Sequence, residues 1–334
     1  MLPRRDFIKQ TCMALTGMAL PLPLINSSVQ SSMKDDTQYD VIIIGGSYAG
    51  LAAAMALGRS LRKVLVIDGG EPCNRQTPHS HNFLTNDGKP PAAIARLAKQ
   101  QVQQYDSVSF LDGRATTAIK TGDGFKVAVQ SGQTFLAKKL VFATGIKDVL
   151  PNIPGLAASW GISVLHCPYC HGYEVRQQKT GILANGDSGY EFAALIANWT
   201  NDLTLFTNGK TTLSRPQTAA LEKHNINIVE HKIERLDHKK GRLQQIVFND
   251  GSTAAVQALY ARVPFIQHTD IPESMGCALT TEGYIKVDAG QKTTVPGVFA
   301  CGDNASRMRT VVNAVATGTT TGIMVNKELI EETF

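Results

Sequence analysis

The feature that most constrains the fold is a unit of about thirty residues in which a strand, a Gly-rich turn, a helix, a second strand and an acid follow one another. Val41 to Ile44 is a β-branched run, typical of a buried parallel strand. The helical run Leu51 to Leu57 and the strand Val64 to Ile67 follow, and Asp68 ends that strand. This order predicts a parallel α/β fold with a dinucleotide site at the turn.

Each part of the turn has a role in such a site. Gly45 permits the tight bend, and Gly50 lets the helix pack closely on the strand. The helix start offers free N–H groups and positive partial charge to a pyrophosphate. Asp68, 23 residues after Gly45, is placed to accept hydrogen bonds from an adenosine ribose, although Ser47 replaces the usual middle glycine. The predicted cofactor-binding residues here are Gly45, Gly46, Ser47, Tyr48, Ala49, Gly50 and Asp68.

A second copy of this unit appears when the chain is shifted by 139 residues. Gly50 then falls on Gly189, and the strand Val64 to Ile67 falls on Leu203 to Phe206. Short alternating strands joined by Gly turns follow each copy, the last of them predicted over Ala254 to Tyr260. The predicted fold class is α/β, with two Rossmann-like dinucleotide-binding domains of the three-layer ββα type, the second inserted in the first.

The second copy departs from the first at its nucleotide positions. Gly45 is matched by Ala184, and Asp68 is matched by Thr207, which Asn208 and Gly209 follow. Lys210 is the one cation of that stretch, and no acid stands ready for a ribose hydroxyl. The sequence therefore predicts an intact second fold and leaves NAD(P)H as its ligand open.

Two later strands end in small residues and would close the first fold. The strand Lys139 to Phe142 leads into Ala143, Thr144 and Gly145, and a strand ending near Ala300 leads into Gly302 and Asp303. Both turns would bring the backbone close to a flat cofactor. A buried helix predicted over Val311 to Val325 would aim its N-terminal dipole, near Val312 and Asn313, at the anionic edge of a reduced flavin.

A Cys-x-x-Cys pair carries the predicted chemistry. Cys167 and Cys170 are flanked by His166 and His171, and a neighbouring imidazolium or helix start lowers the pKa of a thiol. Half of a zinc site and a structural disulfide are the alternative interpretations. Zinc needs about four ligands, and the remaining cysteines are scattered singly, so a redox-active pair is favoured and no metal is expected. Those single residues are Cys12, Cys73, Cys277 and Cys301.

Length and charge set wider limits. At 334 residues the chain can form two domains with substantial cores. Its formal net charge of +5 is too small and too dispersed to indicate a nucleic-acid partner.

The N-terminus predicts export. Arg4 and Arg5 precede a Phe and a Lys at the spacing of a twin-arginine signal, and the mostly apolar run Thr11 to Ile25 follows. We expect residues 1–36 to be a signal or leader outside the fold, with a periplasmic location for the protein. No Ala-x-Ala cleavage site is present, so an uncleaved membrane tether is an alternative, and a cytoplasmic protein with a disordered leader is another.

Taken in order, these pieces resemble the low-molecular-weight thioredoxin reductases over nearly all of residues 38–334. The resemblance implies an FAD-binding domain at residues 37–148 and 267–334, and an inserted NAD(P)-binding-like domain at 149–266 that bears the Cys-x-x-Cys. It also implies that Cys170 faces the flavin while Cys167 exchanges with a thiol or disulfide substrate, and that the protein is a homodimer. The residues that carry it are Gly45 to Gly50, Ala143 to Gly145, Cys167 to Cys170, and Gly302 with Asp303.

The string Cys-Pro-Tyr-Cys-His-Gly-Tyr-Glu, with the stretch from Asn74-Arg75 to Asp87-Gly88, is similar to a branch that contains oxygen-dependent dithiol oxidases. Arg75 is accordingly a predicted cofactor-binding residue. His171 replaces the acid of the family and is the predicted proton shuttle. The predicted function is an FAD-dependent thiol–disulfide oxidoreductase. The alternatives are an oxygen-dependent dithiol oxidase that does not use NADPH, and a non-catalytic flavin-binding sensor or scaffold with a static disulfide.

Overall fold

The structure is a computed structural model that describes residues 38–122 and 124–334, so the predicted leader lies outside the described residues. The strands are β1 (Gln38–Ile44), β2 (Val64–Asp68), β3 (Val108–Asp112), β4 (Ala115–Thr121), β5 (Gly124–Val129), β6 (Thr134–Phe142), β7 (Ile146–Asp148), β8 (Val164–Leu165), β9 (Thr180–Leu183), β10 (Leu203–Phe206), β11 (Asn227–Val229), β12 (Ile233–Lys239), β13 (Arg242–Phe248), β14 (Thr253–Ala255), β15 (Ala258–Ala261), β16 (Phe265–Gln267) and β17 (Val298–Ala300). The helices are α1 (Tyr48–Arg59), α2 (Pro91–Val102), α3 (Leu156–Ser159), α4 (Pro168–His171), α5 (Gly186–Ile196), α6 (Arg215–Lys223), α7 (Ile271–Ser274) and α8 (Val311–Glu331).

The first sheet is built around β1 and β6. Its strand order is β3-β2-β1-β6-β5-β4, with β17 also paired to β6. The pairs among β3, β2, β1, β6 and β17 are parallel, whereas β4, β5 and the first half of β6 form an antiparallel meander. Because β6 pairs with β5 along one half and with β17 along the other, it joins the parallel sheet to the meander.

Each face of the parallel sheet is covered by a different layer, as the predicted ββα type requires. Helices α1 and α8 lie on one face, where Val41, Leu57 and Val325 are fully buried. The meander covers the other face, where Ile42, Val127 and Leu140 are fully buried. The continuous apolar run of β1 therefore supplies side chains to two cores, which explains why it does not alternate.

The second sheet repeats this arrangement. Its parallel strands have the order β11-β10-β9-β15-β8, and an antiparallel meander has the order β12-β13-β14. Leu259 and Ile246 are fully buried between the sheet and the meander, and Ile182 is fully buried against the helices on the other face. All strands of this second fold lie between β7 and β16 in the chain. The predicted fold class, with the second Rossmann-like fold inserted in the first, is confirmed, while the domain boundaries stay predictions.

The connection between the two folds is a short strand pair. Strand β7 leaves the first fold and β16 returns to it, and the two pair antiparallel from Phe265 opposite Asp148 to Gln267 opposite Ile146. A two-stranded pair of this length is weak by itself, so side chains around it matter for its geometry.

The prediction of a single strand over Ala254 to Tyr260 is wrong. It consists of two strands, β14 in the meander and β15 at the centre of the parallel sheet. The amide of Val256 still bonds Gln244 of the meander at 3.3 Å, whereas the amide of Gln257 bonds Lys179 beside the parallel sheet at 2.8 Å. The chain thus changes partner between these two residues, although its apolar pattern continues.

Within the part of the chain that the structure describes, no helix combines the length and apolar character needed to cross a membrane.

Candidate active site

A cavity of about 700 Å³ lies where the strands of the first sheet end, a volume within the usual range for small-molecule and cofactor sites. Both predicted elements, the nucleotide turn and the Cys-x-x-Cys, reach its wall. The predicted site residues that line it are Gly45, Gly46, Ser47, Tyr48, Ala49, Asp68, Ala143, Thr144, Gly145, Cys170, His171, Gly302 and Asp303. The predicted residues that are not on its wall are Gly50, Arg75, Cys167, Val312 and Asn313.

The nucleotide turn leaves a helix start open to this cavity. Gly45 has a φ of +109°, and a Cβ at that position would overlap the carbonyl of Ala143. Ser47 occupies the N-cap of α1 but makes no side-chain capping bond, so the first N–H groups of the helix stay available to a ligand. Gly50 lies behind the wall, where a Cβ would overlap the carbonyl of Gly45.

Asp68 is fixed at the end of β2. Its Oδ1 accepts hydrogen bonds from the amides of Gly46 and Gly70, both at 3.2 Å. The other carboxylate oxygen, Oδ2, does not accept from these two amides. The Asp68 side chain lines the cavity. The position suits an acid that receives ribose hydroxyls, as the sequence predicts.

Asp303 also lines the cavity. Its half-buried position raises the pKa of the carboxyl to about 6, an effect that the Arg309 charge partly opposes. Cys73 donates a hydrogen bond from its Sγ to Asp303 Oδ2 at 3.7 Å. The adjacent turn is held by Asn304, whose Nδ2 donates to the carbonyl of Phe142 at 2.9 Å and to Thr144 Oγ1 at 3.1 Å. These two hydrogen bonds connect the turn after β17 to the turn after β6.

Helix α8 begins at the cavity with Val311, the first residue of the predicted helix, and continues past the predicted end at Val325 to Glu331. Thr310 is its N-cap and accepts a hydrogen bond from the amide of Asn313 at 3.2 Å. Thr310, Val311 and Ala314 line the cavity. Val312 is 44% exposed, and the amide of the Asn313 side chain donates to the carbonyl of Met308, so these two predicted residues flank the wall.

Cys167 and Cys170 form a disulfide at the first turn of α4, with Cα atoms 5.3 Å apart. Cys167 is the N-cap, and the Cys170 amide donates to the Cys167 carbonyl at 3.3 Å. Cys170 lies on the cavity wall and Cys167 does not, although Cys167 is partly exposed. The two sulfurs therefore face different surroundings.

Both histidines beside the disulfide are held neutral at neutral pH. Burial, with a smaller contribution from the His81 charge, lowers the pKa of His171 to about 4. Burial, followed by the charges of Arg309 and His171, lowers the pKa of His166 to about 3. A neutral imidazole can accept a proton from a thiol, and a pKa of about 4 means that His171 would pass this proton on and not retain it at neutral pH.

The nucleotide turn of the second fold uses its polar side chains internally. Thr207 Oγ1 donates to the carbonyl of Gly209 at 2.6 Å, and Asn208 Oδ1 accepts from the amide of Ile233 at 2.8 Å. The structure also brings Lys232 to Gly209, so Lys210 is not the one cation of this region.

Arg75 is exposed, and its Nη1 donates to the carbonyl of Pro72 at 3.3 Å. Its predicted cofactor role stays a prediction. Asp148 and Arg309 line the cavity as an ion pair that the sequence did not indicate, because 161 residues separate them. Among residues 38–122 and 124–334, no cluster of three or more His, Cys, Asp or Glu side chains is arranged to hold a metal ion.

The residues present fit an FAD molecule. The open helix start at Ser47 and the carboxylate of Asp68 suit a pyrophosphate and a ribose. His166 also lines the cavity, and its Nε2 is buried and has no hydrogen-bond partner within the described residues. Because a buried polar nitrogen without a partner is costly, this atom indicates that a bound group completes the site.

Comparison with known proteins identifies the family. Residues 39–318 match the family described as pyridine nucleotide-disulphide oxidoreductase. The chain is 34% identical over 304 residues to the thioredoxin reductase tcpT of Claviceps purpurea, covering 88% of this chain and 95% of that protein. It is 30% identical over 305 residues to the thioredoxin reductase sirT of Leptosphaeria maculans, covering 86% and 93%.

A solved structure gives the same result for the fold. The crystal structure of an oxidoreductase from Agrobacterium tumefaciens superimposes with a TM-score of 0.83 and 36% identity, over 88% of this chain and 99% of that one. The site and the fold define a flavin-dependent disulfide oxidoreductase. The chain belongs to the pyridine nucleotide-disulphide oxidoreductase family, and within it is an FAD-dependent enzyme of the thioredoxin reductase type.

Proposed function

We propose that this enzyme exchanges electrons between bound FAD and a substrate dithiol or disulfide through the Cys167–Cys170 pair. The observation that carries the proposal is that Cys170 lines the same cavity as Gly45, Asp68 and Asp303. Because Cys170 lines the cofactor cavity, whereas Cys167 is not on its wall and is partly exposed, the pair can meet the flavin through one residue and the substrate through the other.

The exchange steps follow from this arrangement. A substrate thiolate attacks Cys167, the Cys167–Cys170 bond breaks, and Cys170 is released as a thiolate facing the cavity. The second substrate thiol then displaces Cys167, which closes the substrate disulfide and leaves both cysteines reduced. His171 accepts a proton released from the thiols, since its imidazole is neutral at neutral pH. FAD, when bound, accepts the two electrons, and the reverse sequence reduces a disulfide.

Two arrangements of the electron partner are compatible with these steps. In a reductase NADPH or NADH supplies the electrons, and in a dithiol oxidase molecular oxygen receives them. The second arrangement is our alternative proposal, and Thr207 and Asn208 favour it because their side chains bond within the fold and provide neither an acid for a ribose hydroxyl nor an arginine for a 2′-phosphate. Lys210 and Lys232 are the charged groups that favour a nucleotide.

An anaerobic flavin titration separates these proposals. The FAD-loaded protein is mixed in a stopped-flow instrument with NADPH, NADH or dithiothreitol, and the flavin absorbance is followed. Bleaching by a nicotinamide nucleotide at micromolar concentration supports the reductase. Bleaching by the dithiol alone, with peroxide formed when air is admitted, supports the oxidase. A flavin that no thiol bleaches, with the disulfide unreduced, would contradict the exchange mechanism and favour a static flavin-binding module.

We further propose export by the twin-arginine route, on the basis of Arg4, Arg5 and the apolar run that follows them. Fractionation of cells that express the full chain tests this location. If the protein is found in the cytoplasmic fraction, and replacing both arginines by lysine does not change this location, the export proposal is wrong. A protein that stays with the membrane fraction would indicate an uncleaved tether.

A further inference from the structure

The side chain of Arg309 connects the segment before α8 with the end of β7. Its Nη2 donates to Asp148 Oδ2 at 3.0 Å and lies 2.9 Å from Asp148 Oδ1. Only 14% of the Arg309 side chain and 9% of the Asp148 side chain are exposed. Because the removal of one partner from such a pair leaves an uncompensated charge in a desolvated place, the pair resists separation.

Asp148 also contacts the inserted fold. Trp160 donates from its indole Nε1 to Asp148 Oδ2 at 3.2 Å. The Trp160 ring stacks on His166, with ring centres 6.1 Å apart and an angle of 24° between the planes. His166 directly precedes Cys167 in the chain. Arg309, Asp148, Trp160 and His166 thus form a continuous series of contacts from the first fold to the disulfide segment.

The charges around Arg309 agree with this placement. The Arg309 charge adds to the effect of burial in lowering the pKa of His166, which belongs to the inserted fold. The same charge lowers the pKa of Asp303 in the first fold, where it opposes the increase caused by burial. The guanidinium therefore lies among cavity groups of both folds. The other charged or titratable groups that influence these two residues are Asp148, Cys73 and His171.

We propose that Arg309, acting through Asp148 and Trp160, is a positioning residue that holds the disulfide segment so that Cys170 faces the cofactor cavity. The proposal rests on the proposed function for its catalytic consequence. Such a positioning residue is needed because the β7–β16 connection contains only three residue pairs. A ribbon this short does not by itself fix the orientation of the inserted fold. Arg309 acts through its neighbours, so its loss should affect the intramolecular step and spare the exchange at Cys167.

The test compares Arg309→Met with Arg307→Met. Arg307 is two residues earlier, its side chain is 79% exposed, and its only ion pair within the described residues is a 3.7 Å contact with Glu282. Flavin bleaching by dithiothreitol is measured anaerobically on the FAD-loaded full chain over a range of dithiol concentrations. In Arg309→Met we expect the limiting rate at high dithiol to fall about 10- to 100-fold, as misplacement of reacting groups does. The second-order constant at low dithiol, which reports exchange at Cys167, should stay unchanged, and Arg307→Met should match the parent in both.

A second measurement is independent of the reaction. Amide hydrogen exchange of residues 164–171 and 265–267 should be faster in Arg309→Met than in the parent and in Arg307→Met. Arg309→Lys, which keeps the charge, should recover part of both losses. If Arg309→Met and Arg307→Met behave alike in rate and in exchange, the proposal is wrong.

The two proposals fail in different ways. A parent protein whose flavin no thiol bleaches would overturn the proposed function, and the hydrogen-exchange comparison would still decide whether Arg309 positions the segment. If Arg309→Met does not fold, Trp160→Phe takes its place, because it keeps the ring against His166 and removes the hydrogen bond to Asp148. Unchanged exchange in residues 164–171 of Trp160→Phe would then count against the proposal.

Discussion

Cys167 and Cys170 are adjacent in the fold but differ in what their sulfurs face. Cys170 lines the cavity and is followed by His171, whereas Cys167 is partly exposed away from the cavity wall. We expect Cys167→Ser and Cys170→Ser each to abolish turnover while FAD stays bound, because exchange requires both sulfurs. The two variants should nevertheless differ: Cys170→Ser should accumulate a mixed disulfide with a substrate thiol at Cys167, and Cys167→Ser should accumulate much less. Intact-mass measurement after incubation with an oxidised dithiol gives the result.

Cys277→Ala provides the control for these variants, since Cys277 is buried beside Thr293 and is not on the cavity wall. It should keep both turnover and FAD. Full activity in either Cys167→Ser or Cys170→Ser would show that the disulfide is structural.

At the level of the elements, the turn between β1 and α1 has little backbone conformational freedom at Gly45. Gly45 combines a positive φ with a close approach to the carbonyl of Ala143, whereas Gly132 has a φ of +87° and nothing within 4 Å of its missing Cβ. Alanine at Gly132 should cost about 1 kcal/mol of stability through backbone strain alone. Alanine at Gly45 should cost more, by about 1–3 kcal/mol, and weaken FAD binding, because the strand end or the turn must move. Thermal unfolding and FAD titration of the apoprotein measure both effects, and equal behaviour of the two variants would contradict the close-approach explanation.

A second element-level contact fixes the end of α8. Lys139 in β6 is nearly buried and donates to Glu328 at 2.6 Å, and it also contacts Glu332. Lys139→Met should lower the free energy of unfolding by about 3 kcal/mol, because it leaves carboxylates with only part of their compensating charge. The neighbouring Lys138 pairs with Asp40 while 45% of its side chain is exposed, so Lys138→Met should cost about 1 kcal/mol or less. Urea denaturation of the two variants should separate them clearly; equal losses would mean that the buried pair adds nothing.

The elements with their own local signal were predictable. The β-branched run of β1, the Gly-rich turn and the apolar pattern of α8 each carry the information for their structure within a few residues, and the repeat extended it to the second fold. The division of Ala254 to Tyr260 into β14 and β15 carried no such signal, because both halves are apolar and only the change of hydrogen-bond partner separates them. The Arg309–Asp148 pair was equally invisible, since nothing near either residue indicates a partner 161 positions away.

For the whole molecule, the burial of two neutral histidines beside the disulfide should make stability fall in acid. The pKa of His166 is lowered to about 3 and that of His171 to about 4, against an unfolded value of about 6.5. The unfolded chain therefore binds more protons than the folded one below pH 6.5, so the free energy of unfolding is highest above this pH and decreases as the pH falls towards the folded pKa values. Asp303, whose pKa is raised to about 6 in the fold, changes in the opposite direction, so the difference between a variant and the parent is the quantity to measure.

His166→Phe keeps a ring against Trp160 and removes one of these protons. Between about pH 7 and pH 5, the free energy of unfolding of His166→Phe should decrease by about 1–2 kcal/mol less than that of the parent. Each proton that is taken up on unfolding makes this free energy change by about 1.4 kcal/mol per pH unit, and the variant lacks one such proton. Urea denaturation of the FAD-loaded proteins across this range measures the difference, and His224→Gln, at an exposed position on the end of α6, should follow the parent. Parallel curves for His166→Phe and the parent would mean that His166 is not buried as a neutral group. The disulfide segment would then have to be more open to water than its contacts with Trp160 imply.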